Sequence, residues 1–176
     1  MSYFFRFPKI KKLVEKMELS EKIKEHFRNP QNAGEIENPQ GIGTITNPIC
    51  GDKTVLYLRI KEGVVEDAKF LSFGCAVTIA SASVFTQKIK GKEISRLLSG
   101  SDDEVVNRLV RLIENELGEI PPVKLHCPPA TVQVFLEAIA EYSEKEGETQ
   151  FSSRIKKLIP LISNYYKRGK KTEEAT

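Results

Sequence analysis

The chain has 176 residues, of which 40% are hydrophobic and 29% charged, as expected for one globular domain with appendages. No apolar run approaches the roughly 18 residues that span a bilayer, and no apolar segment with a small-residue cleavage site opens the chain. The net charge of +3 hides an acidic centre, because residues 20–148 hold 15 Lys and Arg against 20 Asp and Glu. An acidic centre argues against nucleic acid as a partner, and we expect a cytoplasmic protein.

The N-terminal part of the chain predicts an extension followed by one short helix. Residues 1–19 are aromatic and basic and are interpreted as a loosely docked extension. A helix is predicted from Ser20 to about Phe27, and Asn29-Pro30 ends it because a residue before proline is disfavoured in the α region. We interpret His26 on this helix as structural and leave it out of the candidate site.

Alternating hydrophobicity then predicts a three-stranded sheet. A short strand is expected over residues 41–47, and from Thr54 the chain places Leu56, Leu58 and Ile60 on one face. A tight reversal at residues 61–63 leads into a returning strand over residues 64–73. The three strands form an antiparallel meander.

Helical patterns follow the sheet. An Ala- and Ser-rich helix is predicted over residues 76–90, and its small side chains indicate close packing against the sheet. A short helix at residues 93–98 comes next, and then a capping-box pattern at Ser101 opens a helix that Gly118 ends. The last core helix is predicted from about Pro129 to Glu146. The fold class is therefore α+β, with about five to six helices on a three-stranded antiparallel sheet.

These elements divide the chain into residues 1–19, a central domain at 20–148 and a basic C-terminal tail at 149–176, for which a helix is a candidate structure. The tail carries an apolar stripe, and Pro160 is expected to kink or break any helix there. Both a surface-docked or partner-binding helix and a solvated appendage fit this pattern. Since the core elements are complete without either end, we expect residues 17–148 to fold alone. The stripe consists of Ile155, Leu158, Ile159 and Ile162.

The three cysteines carry the candidate chemistry. Their odd number and wide spacing argue against disulfides and favour free thiols in a reducing compartment. Cys50 precedes Gly51-Asp52 in a loop, Cys75 joins a strand to a helix, and Cys127 follows a stiff Pro-Pro connector. Cys127 also lies near a helix N-terminus, which favours the thiolate. Three thiols with Asp52 or His126 in reserve suit zinc or an iron–sulfur centre.

Four motifs, in this order, strongly resemble the IscU family of iron–sulfur cluster assembly scaffolds, close to the N-terminal domain of NifU. The resemblance covers about residues 20–147. The motifs are the Ser20-to-Gly34 segment, Cys50-Gly51-Asp52, Gly74-Cys75 ahead of the Ala/Ser-rich helix, and Pro121 to Cys127.

The resemblance implies a fold, a ligand set and a set of partners. The fold is the sheet-and-helix sandwich described above. The implied cluster ligands are Cys50, Cys75 and Cys127, and Asp52 and His126 are the candidates for the fourth position. A further implied feature, a recognition peptide for a DnaK-type chaperone and its co-chaperone, matches the segment Ile120, Pro121, Pro122, Val123 and Lys124.

The implied function is delivery rather than turnover. A cysteine desulfurase would supply sulfur, iron would be held at the site, and a [2Fe–2S] cluster would form and pass to apo acceptor proteins. Cys127 is our candidate for the sulfur acceptor, because it follows a stiff connector and lies at a helix N-terminus. A homodimer is a further candidate assembly.

Two other functions remain open. A zinc-binding structural or regulatory protein would use the same Cys, His and Asp residues. A thiol enzyme built on Cys127 and His126 is disfavoured, because consecutive residues in an extended segment point to opposite sides and such dyads usually join distant positions. We therefore expect a protein that is not an enzyme.

Overall fold

A computed structural model describes residues 15–147 and 149–173, so most of the predicted N-terminal extension lies outside the described residues. The first helix, α1, spans Glu21–Arg28. The side chain of Ser20 caps it by accepting a hydrogen bond from the backbone N–H of Ile23 at 3.2 Å. The cap and the end of the helix before Pro30 agree with the sequence prediction.

The sheet has the predicted strands and order. Strands β1 (Gly41–Thr46), β2 (Lys53–Lys61) and β3 (Val64–Phe73) form an antiparallel sheet in the order β1-β2-β3. Thr46 lies opposite Lys53, and Lys53 lies opposite Phe73. The end of β1, the start of β2 and the end of β3 therefore meet at one end of the sheet.

Five more α-helices follow in the described part of the chain, and the α+β prediction is confirmed. The predicted capping box opens the helix that begins at Asp102. The side chain of Ser101 accepts a hydrogen bond from the backbone N–H of Glu104, and the side chain of Glu104 accepts one from the backbone N–H of Ser101. No helix among the described residues is long and apolar enough to cross a membrane. The helices are α2 (Ala76–Ile89), α3 (Ile94–Leu97), α4 (Asp102–Leu117), α5 (Cys127–Glu146) and α6 (Thr149–Glu173), with a 3₁₀ turn at Pro122–Lys124.

Helix α2 lies at the centre of the molecule. Every residue from Ala76 to Thr86 is buried, and the helix contacts α1, α4, α5 and β3. Its small side chains allow this close approach on several sides, as the composition predicted. The Oγ of Ser83 lies 2.8 Å from Nδ1 of His26 on α1, and burial lowers the pKa of His26. These contacts support the structural interpretation of His26.

Helix α5 packs directly on β1 because two strand residues have no side chain. A Cβ at Gly43 would overlap the backbone carbonyl oxygen of Val134, and one at Gly41 would overlap that of Ala138. The two glycines therefore set the distance between β1 and α5. This packing brings the N-terminus of α5 to the same end of the sheet as the N-terminus of α2.

Helix α6 decides between the alternatives that the sequence left for the C-terminal segment. A kink or a break was expected at Pro160, and the helix continues through this residue without a break. Pro160 and Lys156 are both exposed, and water can satisfy the carbonyl that the proline leaves without a donor. The predicted stripe is not solvated either, since Ile155, Leu158 and Ile162 are at most 1% exposed and belong to the main core.

Candidate functional site

Asp52 and Cys75 meet at the end of the sheet because of the strand register. Asp52 immediately precedes β2, Cys75 follows β3, and Lys53 pairs with Phe73 between them. The Oδ2 atom of Asp52 accepts a hydrogen bond from the backbone N–H of Cys75 at 3.0 Å. Since Cys75 is the N-cap residue of α2, the carboxylate occupies the positive end of that helix, where a negative charge is stabilised.

Gly74 is required by this arrangement. A Cβ at position 74 would lie 2.7 Å from both Cγ and Oδ2 of Asp52, which is closer than a real Cβ approaches. The Gly-Cys pair therefore does more than end a strand. It leaves space for the carboxylate beside the thiol.

Thr78 joins the candidate ligands to one another, and the sequence analysis did not identify it. Its hydroxyl donates to Oδ2 of Asp52 at 2.5 Å. The same oxygen lies 3.4 Å from the Sγ of Cys75 and 3.4 Å from the Sγ of Cys127. The hydrogen bond from Thr78 and the one from the Cys75 amide outweigh burial, which alone would raise the pKa of Asp52, and the pKa lies below its ordinary value.

Cys75 and Cys127 form a contacting pair of thiols. Their Sγ atoms are 3.9 Å apart. A hydrogen bond from Cys127, helped by one from the backbone N–H of Thr78 and opposed by burial, lowers the pKa of Cys75 to about 6. The same bond, together with burial, raises the pKa of Cys127. At neutral pH the pair holds one proton on Cys127 and one negative charge on Cys75.

The expectation that Cys127 is presented and leans toward the thiolate is wrong for this conformation. Cys127 is 0% exposed. Helix α5 begins at Cys127 itself rather than at Pro129, so Pro128 and Pro129 occupy its first turn. Proline has no N–H, and these two residues remove donors that would otherwise stabilise an anion at a helix N-terminus.

The connector before Cys127 also differs from the predicted extended form. Pro122–Lys124 is a 3₁₀ turn, and Leu125 and His126 both have right-handed helical angles. His126 and Cys127 therefore do not lie in an extended segment, in which their side chains would have pointed to opposite sides. Burial and the charge of Lys124 lower the pKa of His126, which favours the neutral imidazole. Its Nε2 atom is buried without a hydrogen-bond partner among the described residues.

Cys50 lies in the β1–β2 loop, whose conformation is stabilised by hydrogen bonds of Asn47. The backbone N–H of Asn47 donates to the carbonyl of Asp52 at 2.8 Å, and its carbonyl accepts from the N–H of Gly51 at 2.8 Å. The side-chain Oδ1 of Asn47 accepts from the N–H of Ile49 at 2.9 Å. Cys50 is half-buried, and burial is the main cause that raises its pKa, with the charge of Asp52 adding to it.

The structure thus brings Asp52, Cys75 and Cys127 into one hydrogen-bonded group, with Cys50 and His126 beside it. Within the described residues, no three Cys, His, Asp or Glu side chains already stand in an arrangement that could hold a metal ion. The donor types nevertheless fit soft metals, because thiolate and imidazole are the ligands that zinc and iron–sulfur centres use.

The segment expected to bind a chaperone is partly accessible. Val123 is 67% exposed, whereas Ile120 is buried. Pro121 and Pro122 line a cleft of about 700 Å³ whose other wall includes residues 15–20. Exposed apolar side chains also surround the thiols, since Phe73 directly before Gly74 is 89% exposed and Ile49 directly before Cys50 is 42% exposed.

One feature of the sequence could have identified Thr78 as part of the site. It lies three residues after Cys75, and residues at that spacing share one face of a helix. The surrounding Ala- and Ser-rich pattern predicted close packing, and a threonine there is expected to pack as well. What the sequence does not show is that Asp52, 26 residues earlier, reaches the same hydroxyl.

The fold and the site together define a class: a small α+β protein that gathers thiols, a carboxylate and an imidazole at one end of its sheet. The family model described as the NifU-like N-terminal domain matches residues 18–149. The chain therefore belongs to the family of NifU-like N-terminal domains.

Curated relatives are 35–38% identical to this chain over the aligned residues. It is 38% identical over 129 residues to "Iron-sulfur cluster assembly scaffold protein IscU 1" of Archaeoglobus fulgidus, covering 73% of this chain and 79% of the relative. It is 36% identical over 140 residues to the IscU scaffold protein of Aquifex aeolicus, covering 78% and 84%. It is 35% identical over 133 residues to that of Escherichia coli K12, covering 73% and 97%.

Solved structures share the fold. A nitrogen-fixing NifU-like protein (N-terminal) from Brucella abortus matches with a TM-score of 0.55 and 22% identity, covering 70% of this chain and 93% of that one. A putative scaffold protein for the SUF system from Fervidobacterium islandicum matches with a TM-score of 0.51 and 23% identity, covering 68% and 95%. At these identities the likeness concerns the fold alone.

Proposed function

We propose that this protein is a scaffold on which an iron–sulfur cluster is assembled and from which the cluster is passed to acceptor proteins. Family membership and the names of the curated relatives support this role. The observation that carries it is the group of Cys75, Cys127 and Asp52 around one hydroxyl, with Cys50 and His126 close enough to interact with Asp52. The cluster is cargo here, so the site has to bind it and then release it.

The proposed ligands are Cys50, Cys75 and Cys127, with Asp52 or His126 in the fourth position. Three thiolates and one weaker donor suit a [2Fe–2S] cluster held at an exchangeable site. Oxygen is a harder ligand than sulfur and a poorer partner for sulfide-bridged iron. A fourth position of this kind favours release, which a delivery protein needs and a permanent electron carrier avoids.

Cys127 is the proposed sulfur acceptor, and its burial means that the connector before it has to open. The connector is a single 3₁₀ turn with an exposed Val123. By contrast, Cys75 is fixed at the start of the central helix. When the shared proton moves to Cys75, the Cys127 thiolate can attack the outer sulfur of a desulfurase persulfide. A new S–S bond to Cys127 forms as the old one breaks, and the desulfurase thiolate leaves.

This sulfur step has its own test. After incubation with a cysteine desulfurase and cysteine, mass spectrometry should find persulfide mainly on Cys127. Persulfide confined to Cys75 or Cys50 would refute the assignment. A Val123→Gly variant, which loosens the connector, should accept sulfur at least as fast as the parent chain.

The proposed partners follow from the role. A cysteine desulfurase supplies sulfur and apo iron–sulfur proteins receive the cluster, and the exposed Phe73 and Ile49 beside the thiols are suitable contacts for either. A DnaK-type chaperone and its co-chaperone are proposed to bind residues 120–124, with Val123 as the accessible apolar anchor. A homodimer remains a proposal, as does a cytoplasmic location.

Anaerobic reconstitution tests the proposed function against zinc binding. The purified protein is incubated with iron and sulfide, and absorbance, iron and acid-labile sulfide are measured together with zinc. We expect iron and sulfide in equal amounts and the visible absorption of a [2Fe–2S] cluster. A protein that binds zinc tightly and takes up no iron and sulfide would instead be the zinc-binding structural or regulatory protein.

A further inference from the structure

The hydroxyl of Thr78 contacts three of the proposed ligands at once. Thr78 is 4% exposed, and its Oγ1 lies 2.5 Å from Oδ2 of Asp52 and 3.4 Å from each Sγ of Cys75 and Cys127. A hydroxyl has one proton to donate, and its shortest contact is with the carboxylate. The thiols therefore face the oxygen of a group whose proton is already used.

Asp52 is consequently held by two donors on one oxygen. Oδ2 accepts from the Thr78 hydroxyl and from the backbone N–H of Cys75 at 3.0 Å. A carboxylate oxygen that binds iron has to give up hydrogen bonds of this kind. The Nε2 atom of His126 is in the opposite situation, since it is buried and has no hydrogen-bond partner among the described residues to give up.

We propose that Thr78 is a positioning residue that selects the fourth ligand: it keeps Asp52 hydrogen-bonded while the cluster is held, so that His126 completes the site. The inference rests on the proposed scaffold function and concerns the same site. When Asp52 leaves Thr78, its oxygen replaces the imidazole nitrogen and weakens the hold on the cluster. Thr78 thereby sets how long the cargo stays.

The first test compares cluster lifetimes in the presence of an iron chelator. Thr78→Val keeps the shape of the side chain and removes the hydroxyl, and Thr78→Ser keeps the hydroxyl as the matched control. We expect Thr78→Val to lose its cluster about 10- to 100-fold faster, the range for partners that orient metal ligands, and Thr78→Ser to behave like the parent chain. Thr78→Ala replaces Thr78→Val if the valine variant does not fold.

A double variant shows whether Thr78 acts through Asp52. In an Asp52→Ala background, Thr78→Val should no longer change the cluster lifetime, and both chains should keep the cluster longer than the parent. An equal acceleration in the two backgrounds would overturn the proposal, because the hydroxyl would then act directly on the thiols.

Pulsed EPR shows directly whether a histidine nitrogen is bound to the cluster. With ¹⁵N-labelled histidine, the reduced cluster of the parent chain should show nitrogen coupling in pulsed EPR, and the coupling should disappear in Thr78→Val. A parent cluster without histidine coupling would overturn the proposal even if the scaffold function holds.

Binding of Co²⁺ distinguishes a failure of the role of Thr78 from a failure of the proposed scaffold function. If the parent chain forms no cluster from iron and sulfide, the scaffold function fails, but bound Co²⁺ still reports the ligand set through its d–d absorption. We expect different spectra for the parent chain and Thr78→Val, and the same spectrum for the parent and Thr78→Ser. Identical spectra for all three would overturn the role of Thr78.

Discussion

Cys75 and Cys127 are chemically unequal although their sulfur atoms are in contact. Cys75 receives the hydrogen bond that Cys127 donates, so one thiol of the pair is acidic and the other is not. Cys50 differs from Cys75 in the other direction, since burial raises its pKa. The three thiols of one site should therefore react over different ranges of pH.

Alkylation by iodoacetamide, followed peptide by peptide with mass spectrometry, tests this inequality. The pKa of Cys75 is about 6, so its thiolate is scarce below that pH, its alkylation rate should rise through pH 6, and it should level off near neutrality. Cys50 in the same sample serves as the control and should react only at higher pH. Cys127→Ala removes the donor and should shift the Cys75 profile upward. A Cys75 rate that keeps rising through pH 8 in the parent chain would contradict the pairing.

The three cysteines should each be necessary for the cluster. We expect Cys50→Ser, Cys75→Ser and Cys127→Ser to abolish stable cluster formation while circular dichroism stays that of the parent. Burying a hydroxyl in place of the Cys127 thiol costs roughly 1–3 kcal/mol of stability, and Thr78 can offer it a partner. Ser95→Ala, at an exposed position, is the control. Any of the three variants that keeps a full cluster would place that cysteine outside the site.

For single residues, the sequence was sufficient to identify the residue types and motifs of the site but not the protonation or burial of each side chain. The positions of Cys50, Asp52, Cys75, His126 and Cys127 at element boundaries were sufficient to nominate them. The proton on Cys127 depends on a thiol 52 residues away, which no local pattern encodes. The burial of Cys127 depends on where α5 begins, and two prolines can stand inside a first helical turn as well as open it.

Among the elements, β1 and α5 depend on each other through glycine. A side chain at position 43 would have to displace the backbone of α5 at Val134. We expect Gly43→Ala to lower the free energy of unfolding by about 1–3 kcal/mol or more, the usual cost of overpacking. Urea denaturation measures it, with the exposed Thr44→Ala on the same strand as the control. Equal midpoints for the two variants would mean that β1 and α5 are not in close contact.

Helix α6 should contribute to the stability of the domain, because its apolar side chains belong to the main core. Leu158 is fully buried, so Leu158→Ala should cost about 2–5 kcal/mol. The exposed neighbour Lys157→Ala should stay within about 0.5 kcal/mol of the parent. The chain shortened to residues 17–148, which sequence alone led us to expect to fold unaided, should be less stable because the face of α5 that contacts α6 is then uncovered. Equal denaturation midpoints for Leu158→Ala and Lys157→Ala would show that the helix does not pack.

The contrast between the sheet and α6 shows which elements sequence patterns predict well. The alternation of Leu56, Leu58 and Ile60 admits one interpretation, because a slip of one residue would expose all three. The apolar stripe of α6 admits two, since its basic composition and Pro160 also suit a solvated helix. Packing against α5 decides between them, and that contact lies outside the segment itself.

Over the whole molecule, the site results from where the chain reverses. The β1–β2 loop, the junction between β3 and α2, and the N-terminus of α5 all lie at one end of the sheet, and each contributes one or two of the proposed ligands. Elements that are far apart in the sequence are fixed by a common core. This arrangement explains how a rigid domain presents ligands from several element boundaries at one site.

Transfer of a preformed cluster tests the central proposal, that this protein assembles and delivers iron–sulfur clusters. The reconstituted protein is mixed anaerobically with an apo-ferredoxin and an iron chelator that captures free iron, and the ferredoxin spectrum is followed over time. We expect the ferredoxin to gain its cluster faster than from free iron and sulfide and despite the chelator, because the cluster passes directly between the proteins. A cluster that stays on this protein, or that reaches the chelator while the ferredoxin remains apo, would contradict the scaffold function.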